Sequence, residues 1–152
     1  MVIKMLNKIK KYFWVVIPLI GGALISIFLK FNIYNSIIKP PLAPPKILFP
    51  IAWSILYILM GIVLYILVNS KEKSLIILFI IQLIFNYIWP FIFFNLESFF
   101  TSFIVIVLLD FFVLLLILSC ADKFRKCSYL LIPYFIWICF ATYLNWTIFL
   151  LN

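Results

Sequence analysis

Long unbroken apolar stretches separated by brief polar breaks set the pattern of this chain. The stretches cover about residues 12–30, 47–68, 74–95, 98–121 and 128–151, and none shows the strict alternation of a half-buried strand. At about 1.5 Å of rise per residue, each is long enough to cross about 30 Å of hydrocarbon as a helix. Backbone groups in lipid must be satisfied within the chain, so the expected fold is an all-α membrane protein: a single domain over residues 1–152, built as a bundle of five transmembrane helices. Three breaks are short: Asn69 to Lys73, Asn95 to Ser98, and Asp122 to Cys127. The longest, Lys30 to Lys46, contains Pro40, Pro41, Pro44 and Pro45 and cannot be helical throughout, which gives a Pro-rich loop between the first two spans. Met1 to Lys11 is a basic, amphipathic lead-in. A secretory signal opens in the same way, but the apolar run continues to Phe31 without an A-x-A pattern, so the segment is expected to remain as the first span.

Composition agrees. Hydrophobic residues make up 68% of the chain and charged residues 11%, with a mean hydropathy of +1.32, whereas a soluble domain carries about 25% charged residues. The net charge of +8 would raise nucleic acid as a partner in a soluble protein. Here the cations flank the apolar runs, where they meet lipid headgroups, and no nucleic-acid partner is expected. Lys4, Lys8, Lys10, Lys11, Lys71, Lys73, Lys123, Arg125 and Lys126 fall on the N-terminal side, against Lys30, Lys39 and Lys46 on the other. The positive-inside rule then places the N-terminus in the cytoplasm and the Pro-rich loop outside. The chain has no histidine, and Cys120, Cys127 and Cys139 form no CxxC pair, so neither a metal site nor a histidine-based triad is expected. Heavy use of Ile, Phe, Lys and Asn matches an AT-rich coding bias and a bacterial cell membrane.

Polar and aromatic residues inside the spans carry the functional signal. Gln82, Asn86, Trp89 and Phe93 are spaced four, three and four and share one helix face; Tyr134, Trp137, Ala141 and Asn145 do the same, as do Trp53, Tyr57 and Gly61. Trp53, Trp89 and Trp146 lie near the loop-side ends of their helices, where an interfacial belt explains them. Trp137 lies about 14 residues, roughly 20 Å, from that end and is not so explained. Asn86 and Asn145 would be costly facing lipid and are expected to point inward, which makes an aromatic-walled cavity beneath the loop. Each amide alone is equally well explained as a bond between neighbouring helices. Gly61 and Ala141 read first as close-packing positions, and the cysteines as apolar filler. Asp110, in mid-span, is open to a pairing with Thr, Tyr or a backbone group, to a protonated form, or to a proton-relay role.

Lys39-Pro40-Pro41-Leu42-Ala43-Pro44-Pro45, with Phe49-Pro50, Trp53, Leu56-Tyr57 and Met60-Gly61, resembles the loop and second helix of the tryptophan-rich sensory protein/translocator protein family (TspO/MBR, the peripheral benzodiazepine receptor family). Asn86, Trp89 and Phe93-Phe94 resemble its third helix. Pro133-Tyr134, Trp137, Phe140-Ala141-Thr142, Leu144-Asn145 and Leu151-Asn152 resemble its fifth. Two lid positions depart from the pattern, since Ile33 and Leu42 stand where the family often has tryptophan.

The resemblance implies a five-helix bundle, commonly a homodimer, that binds a porphyrin such as protoporphyrin IX under the loop, with no required cofactor. By position it implies that Tyr34, Lys39 and Pro44 belong to the lid, and that Trp53, Tyr57, Asn86, Trp89, Phe93, Trp137, Ala141 and Asn145 line the pocket. Lys39 would meet ligand carboxylates. The family also implies light-dependent porphyrin degradation through Trp53 and Trp137 as an alternative, and a further alternative is transport of porphyrin or sterol, for which Asp110, read from the sequence, would be the coupling acid. The chain has no basic residue after Lys126, which weakens the sterol reading, and it shows no conventional acid, base or nucleophile set.

Overall fold

The computed structural model describes the backbone from Val2 to Asn152 and the side chains from Tyr12 onward. Among the described residues there are six helices and no strand: α1 (Val2–Ile27), α2 (Ile33–Ser36), α3 (Leu48–Ser70), α4 (Lys73–Phe94), α5 (Phe99–Cys120) and α6 (Arg125–Leu151). Helices α3, α4, α5 and α6 are each long and apolar enough to cross a membrane, whereas the apolar stretch of α1, Tyr12–Ile27, is shorter. Helices α1 and α6 reach furthest beyond the apolar runs that mark them in the sequence. α1 extends back to Val2 through the basic lead-in, and α6 begins at Arg125, a turn ahead of residue 128. Charges mark where lipid ends, not where a helix must end, because the backbone bonds continue into the headgroup region.

The turns are tight because two non-glycine residues take left-handed backbone conformations. Lys71, with φ 59°, closes α3 through an N–H bond to the Val68 carbonyl, and Glu97, with φ 53°, lies in the turn between α4 and α5. Residues 37–47 join α2 to α3 without helix and contain the four prolines. Pro50 falls in the first turn of α3, where its missing N–H costs nothing.

The five long helices close into a ring in the order α1, α3, α6, α5, α4 and back to α1. Lipid gives helices no hydrophobic reason to associate, so close approach and buried hydrogen bonds must hold such a ring. Both are present. A Cβ on Gly61 would stand 1.9 Å from the backbone oxygen of Val15, so α1 and α3 meet backbone to backbone there. Gly22 lies against the Tyr57 ring, and Gly21 against Tyr87, whose hydroxyl donates to the Pro18 carbonyl at 2.8 Å. Two asparagines fasten the α1–α3 connection. The Asn95 amide donates to the Phe28 carbonyl (2.8 Å) and accepts from the Lys30 N–H (3.0 Å), while Asn152 accepts from the Ile38 N–H (2.9 Å) and donates to the Ile38 carbonyl (3.1 Å).

Asp110 sits on the seam between α5 and α6, with the Thr142 hydroxyl 2.7 Å from Oδ2 and 2.9 Å from the Ile138 carbonyl. Of the alternatives open from sequence, the structure shows the pairing with threonine. An amide at this position keeps a partner for Thr142, so Asp110→Asn is expected to unfold within a few degrees of wild type in a thermal melt. Asp110→Leu, which leaves Thr142 without its cross-helix partner, is expected to lose about 1 kcal/mol.

Candidate functional site

A cavity of about 370 Å³ lies between α1, α3 and α4, beneath the α1–α3 connection. Helix periodicity builds it. On α3, Pro50, Trp53 and Tyr57 follow at three and four residues and present one face; on α4, Asn86, Trp89, Pro90 and Phe94 do likewise; α1 contributes Gly22, Ile25 and Ser26. The connection closes the top with Leu29, Phe31, Tyr34 and Lys46, joined by Phe49 from the first turn of α3.

The walls are aromatic. The Trp53 ring lies 5.5 Å from Tyr57 and 6.4 Å from Trp89, centroid to centroid, in tilted contacts. Polar groups gather at the inner end, where the Tyr57 hydroxyl donates to Asn86 Oδ1 at 2.7 Å. Asn86 Nδ2 donates to the Tyr134 hydroxyl at 2.9 Å, and Tyr134 in turn donates to Gln82 Oε1 at 3.0 Å. This chain of four side chains ties α3, α4 and α6 together with no charge in it, which suits a low-dielectric interior. Gln82 is fully buried, and its Nε2 has no partner.

At the mouth, Lys46 bonds Asn35 Oδ1 and holds its ammonium 5.8 Å from the Tyr34 ring centroid, with Lys39 at 5.0 Å. Neither lysine meets an acid among the described residues, where the one ion pair, Lys123 with Glu72, lies at the opposite end of the bundle. The mouth therefore favours anions. Burial pushes the Tyr34 hydroxyl above its usual range, so at neutral pH it remains a donor and pins the connection through a 3.0 Å bond to the Pro44 carbonyl. Because the folded pKa is raised, this contribution is complete below the ordinary tyrosine range and is lost only as strong alkali ionises the phenol.

Of the residues singled out from sequence, Tyr34, Trp53, Tyr57, Asn86 and Trp89 come together on the cavity. The others stand behind it. Lys39 lies over the Tyr34 ring, and Pro44 offers Tyr34 its carbonyl. Phe93 packs on Trp89 and Phe99 in the core. Trp137 backs Phe49 at 6.3 Å with its buried Nε1 unpartnered, and Ala141 is buried on α6. Asn145 accepts from Trp89 Nε1 at 2.8 Å and donates to the Phe99 carbonyl at 2.9 Å. The stripe on α6 thus holds the tryptophan wall from the rear, because the Trp53, Tyr57 and Trp89 rings fill the space between it and the cavity. Spacing alone missed α1. The cue was Gly22 and Ser26, small residues four apart on one face, the pattern that leaves room beside a helix.

Residues 14–151 match the TspO/MBR family. Tryptophan-rich protein TspO of Chlorobaculum tepidum is 40% identical over 124 residues, covering 78% of each chain. Its namesake in Archaeoglobus fulgidus is 39% identical, covering 78% of this chain and 79% of the relative, and that in Bacillus cereus is 33% identical, covering 78% and 80%. With the four apolar helices and the tryptophan-walled cavity inside the matched segment, this chain is a multi-pass membrane protein belonging to the TspO/MBR family.

Proposed function

We propose that the protein binds a flat, membrane-soluble tetrapyrrole of the protoporphyrin IX type, in a sensory, stress-related or porphyrin-homeostasis role. The observation that carries this reading is the cavity itself. Its aromatic walls, Trp53 and Trp89, suit the faces of a conjugated ring, while Tyr57 and Asn86 offer hydrogen bonds at its inner end and Lys46 a cation at its mouth. At about 370 Å³ it lies at the small end of the range of small-molecule sites. The reading includes α1 as a fifth span, a cytoplasmic N-terminus in the cell membrane, and a homodimer as the working form, with no cofactor.

The test is a tryptophan-fluorescence titration with protoporphyrin IX in the dark. Saturable quenching in the micromolar range is expected, which is about −8 kcal/mol at 1 μM. Trp53→Phe should weaken binding about three- to tenfold, the worth of one good aromatic contact, and Trp137→Phe should weaken it less. Linear, non-saturating quenching shared by all three proteins would reduce the signal to partitioning into the micelle and defeat the proposal.

A second reading, photo-oxidative degradation of the bound porphyrin, rests on the contact of Trp53 with Tyr57, Trp89 and Tyr134 at 5.5, 6.4 and 6.4 Å. These electron-rich rings adjoin the place where an excited ligand would sit. Identical products from illuminated wild type and Trp53→Phe would dismiss it. The transport reading has less support, since Asp110 bonds Thr142 on the α5–α6 seam and does not line the cavity.

A further inference from the structure

We infer that the cavity opens sideways into the bilayer, through a gap between the loop-side halves of α1 and α3, and that its ligand enters from the lipid leaflet on that side. The inference deepens the tetrapyrrole reading by giving the ligand's route, and its test separates the two.

The gap follows from helix geometry. Pro50, Ser54, Tyr57 and Gly61 are spaced four, three and four, so they share the face of α3 that α1 packs on. The inner two are covered: Gly61 by the Val15 backbone and Tyr57 by Gly22. The outer two, Pro50 and Ser54, are exposed. On α1, Val15, Gly22 and Ser26 are spaced seven and four and face α3 in turn. Val15 and Gly22 touch it, whereas Ser26, one turn on, is exposed and yet lines the cavity. The two helices therefore part above the Gly22 and Tyr57 contact, in the outer part of the stretch of about 16 Å from Gly61 to Pro50.

The parting follows from how the α1 end is anchored. The chain immediately following α1 is held toward α4 instead, by the Asn95 bonds to Phe28 and Lys30 and by the Phe31 and Phe94 rings at 5.1 Å. Pro18 interrupts the hydrogen-bond ladder of α1 between the inner contact and the outer one, which lets its two halves take different directions. The rim of the opening, Ser26, Pro50 and Ser54, carries no charge, and the mouth under the connection is shared with Lys46 and Tyr34. An amphiphilic molecule with an apolar body and an anionic edge can slide along this slot with its body in lipid and its edge at Lys46. A water-soluble ligand would have no use for it.

The test uses the protein in phosphatidylcholine vesicles whose acyl chains carry bromine, a contact quencher of tryptophan. Trp14, Trp137 and Trp146 are changed to Phe, leaving Trp53 and Trp89 in the cavity wall. Ser54→Phe, at an exposed position off the cavity lining, fills the slot, and Ser54→Ala removes the hydroxyl without filling it. Quenching of Trp53 and Trp89 is expected in the parent, retained in Ser54→Ala, and relieved in Ser54→Phe. In the otherwise wild-type protein, Ser54→Phe should also slow both association and dissociation of protoporphyrin IX about tenfold, the mark of a blocked passage. Quenching that is absent, or equal in all three proteins, overturns the opening. Relieved quenching with porphyrin rates unchanged overturns its use as the entrance. Relieved quenching in a protein that shows no saturable porphyrin binding keeps the opening and defeats the tetrapyrrole reading.

Discussion

Gly61→Ala is expected to lower stability by about 1–3 kcal/mol, although alanine is the better helix former by about 1 kcal/mol. The sign is decided by what the new methyl group meets. A Cβ on Gly61 stands 1.9 Å from the Val15 oxygen and 2.6 Å from its carbonyl carbon, atoms of another helix's backbone, which cannot rotate aside as a side chain can. α1 must step back from α3 along its length, forfeiting the packing of Gly22 on Tyr57. Gly21→Ala is the control. Its nearest neighbour is the far end of the Tyr87 side chain, at 2.3 Å, which can swing away for the loss of one hydrogen bond to Pro18, about 1 kcal/mol. Thermal unfolding of both variants in one detergent should therefore rank Gly61→Ala well below Gly21→Ala, with Gly61→Val lower still. A melting temperature for Gly61→Ala equal to or above wild type would show that the α1–α3 contact is not a structural constraint.

Asn86→Leu is expected to cost about 1–3 kcal/mol and to weaken porphyrin binding as well. Leucine nearly matches asparagine in size but leaves the Tyr57 hydroxyl without its acceptor and the Tyr134 hydroxyl without the donor it accepts from, both buried. A double-mutant cycle isolates the effect. In a Tyr57→Phe background one stranded hydroxyl is already gone, so the further loss on Asn86→Leu should shrink by about 1 kcal/mol. The lower end of the range applies if the denatured chain finds other partners in the membrane, where such bonds average about 0.6 kcal/mol. Binding reports separately on the cavity, since Asn86 lies on its surface. Lowered stability with unchanged porphyrin affinity would confine Asn86 to holding helices together.

The membrane helices were readable from the sequence because lipid removes every alternative: a long apolar run has no other way to satisfy its backbone. Face was readable too. Gln82, Asn86, Trp89 and Phe93, one stripe by spacing, are all buried on α4, and Tyr134, Ala141 and Asn145 are buried on α6. Spacing tells which residues share a face but not which helix that face meets. Only the tertiary structure decided that the α4 stripe splits its partners, Asn86 reaching Tyr57 and Tyr134 while Trp89 reaches Asn145. The same arrangement sets the cavity against α1 and places the α6 stripe behind its wall. Those outcomes depend on the ring order of the helices and on the backbone contact at Gly61. Both arise from complementary shape between segments far apart in the chain, and no local pattern of apolar and polar residues encodes them.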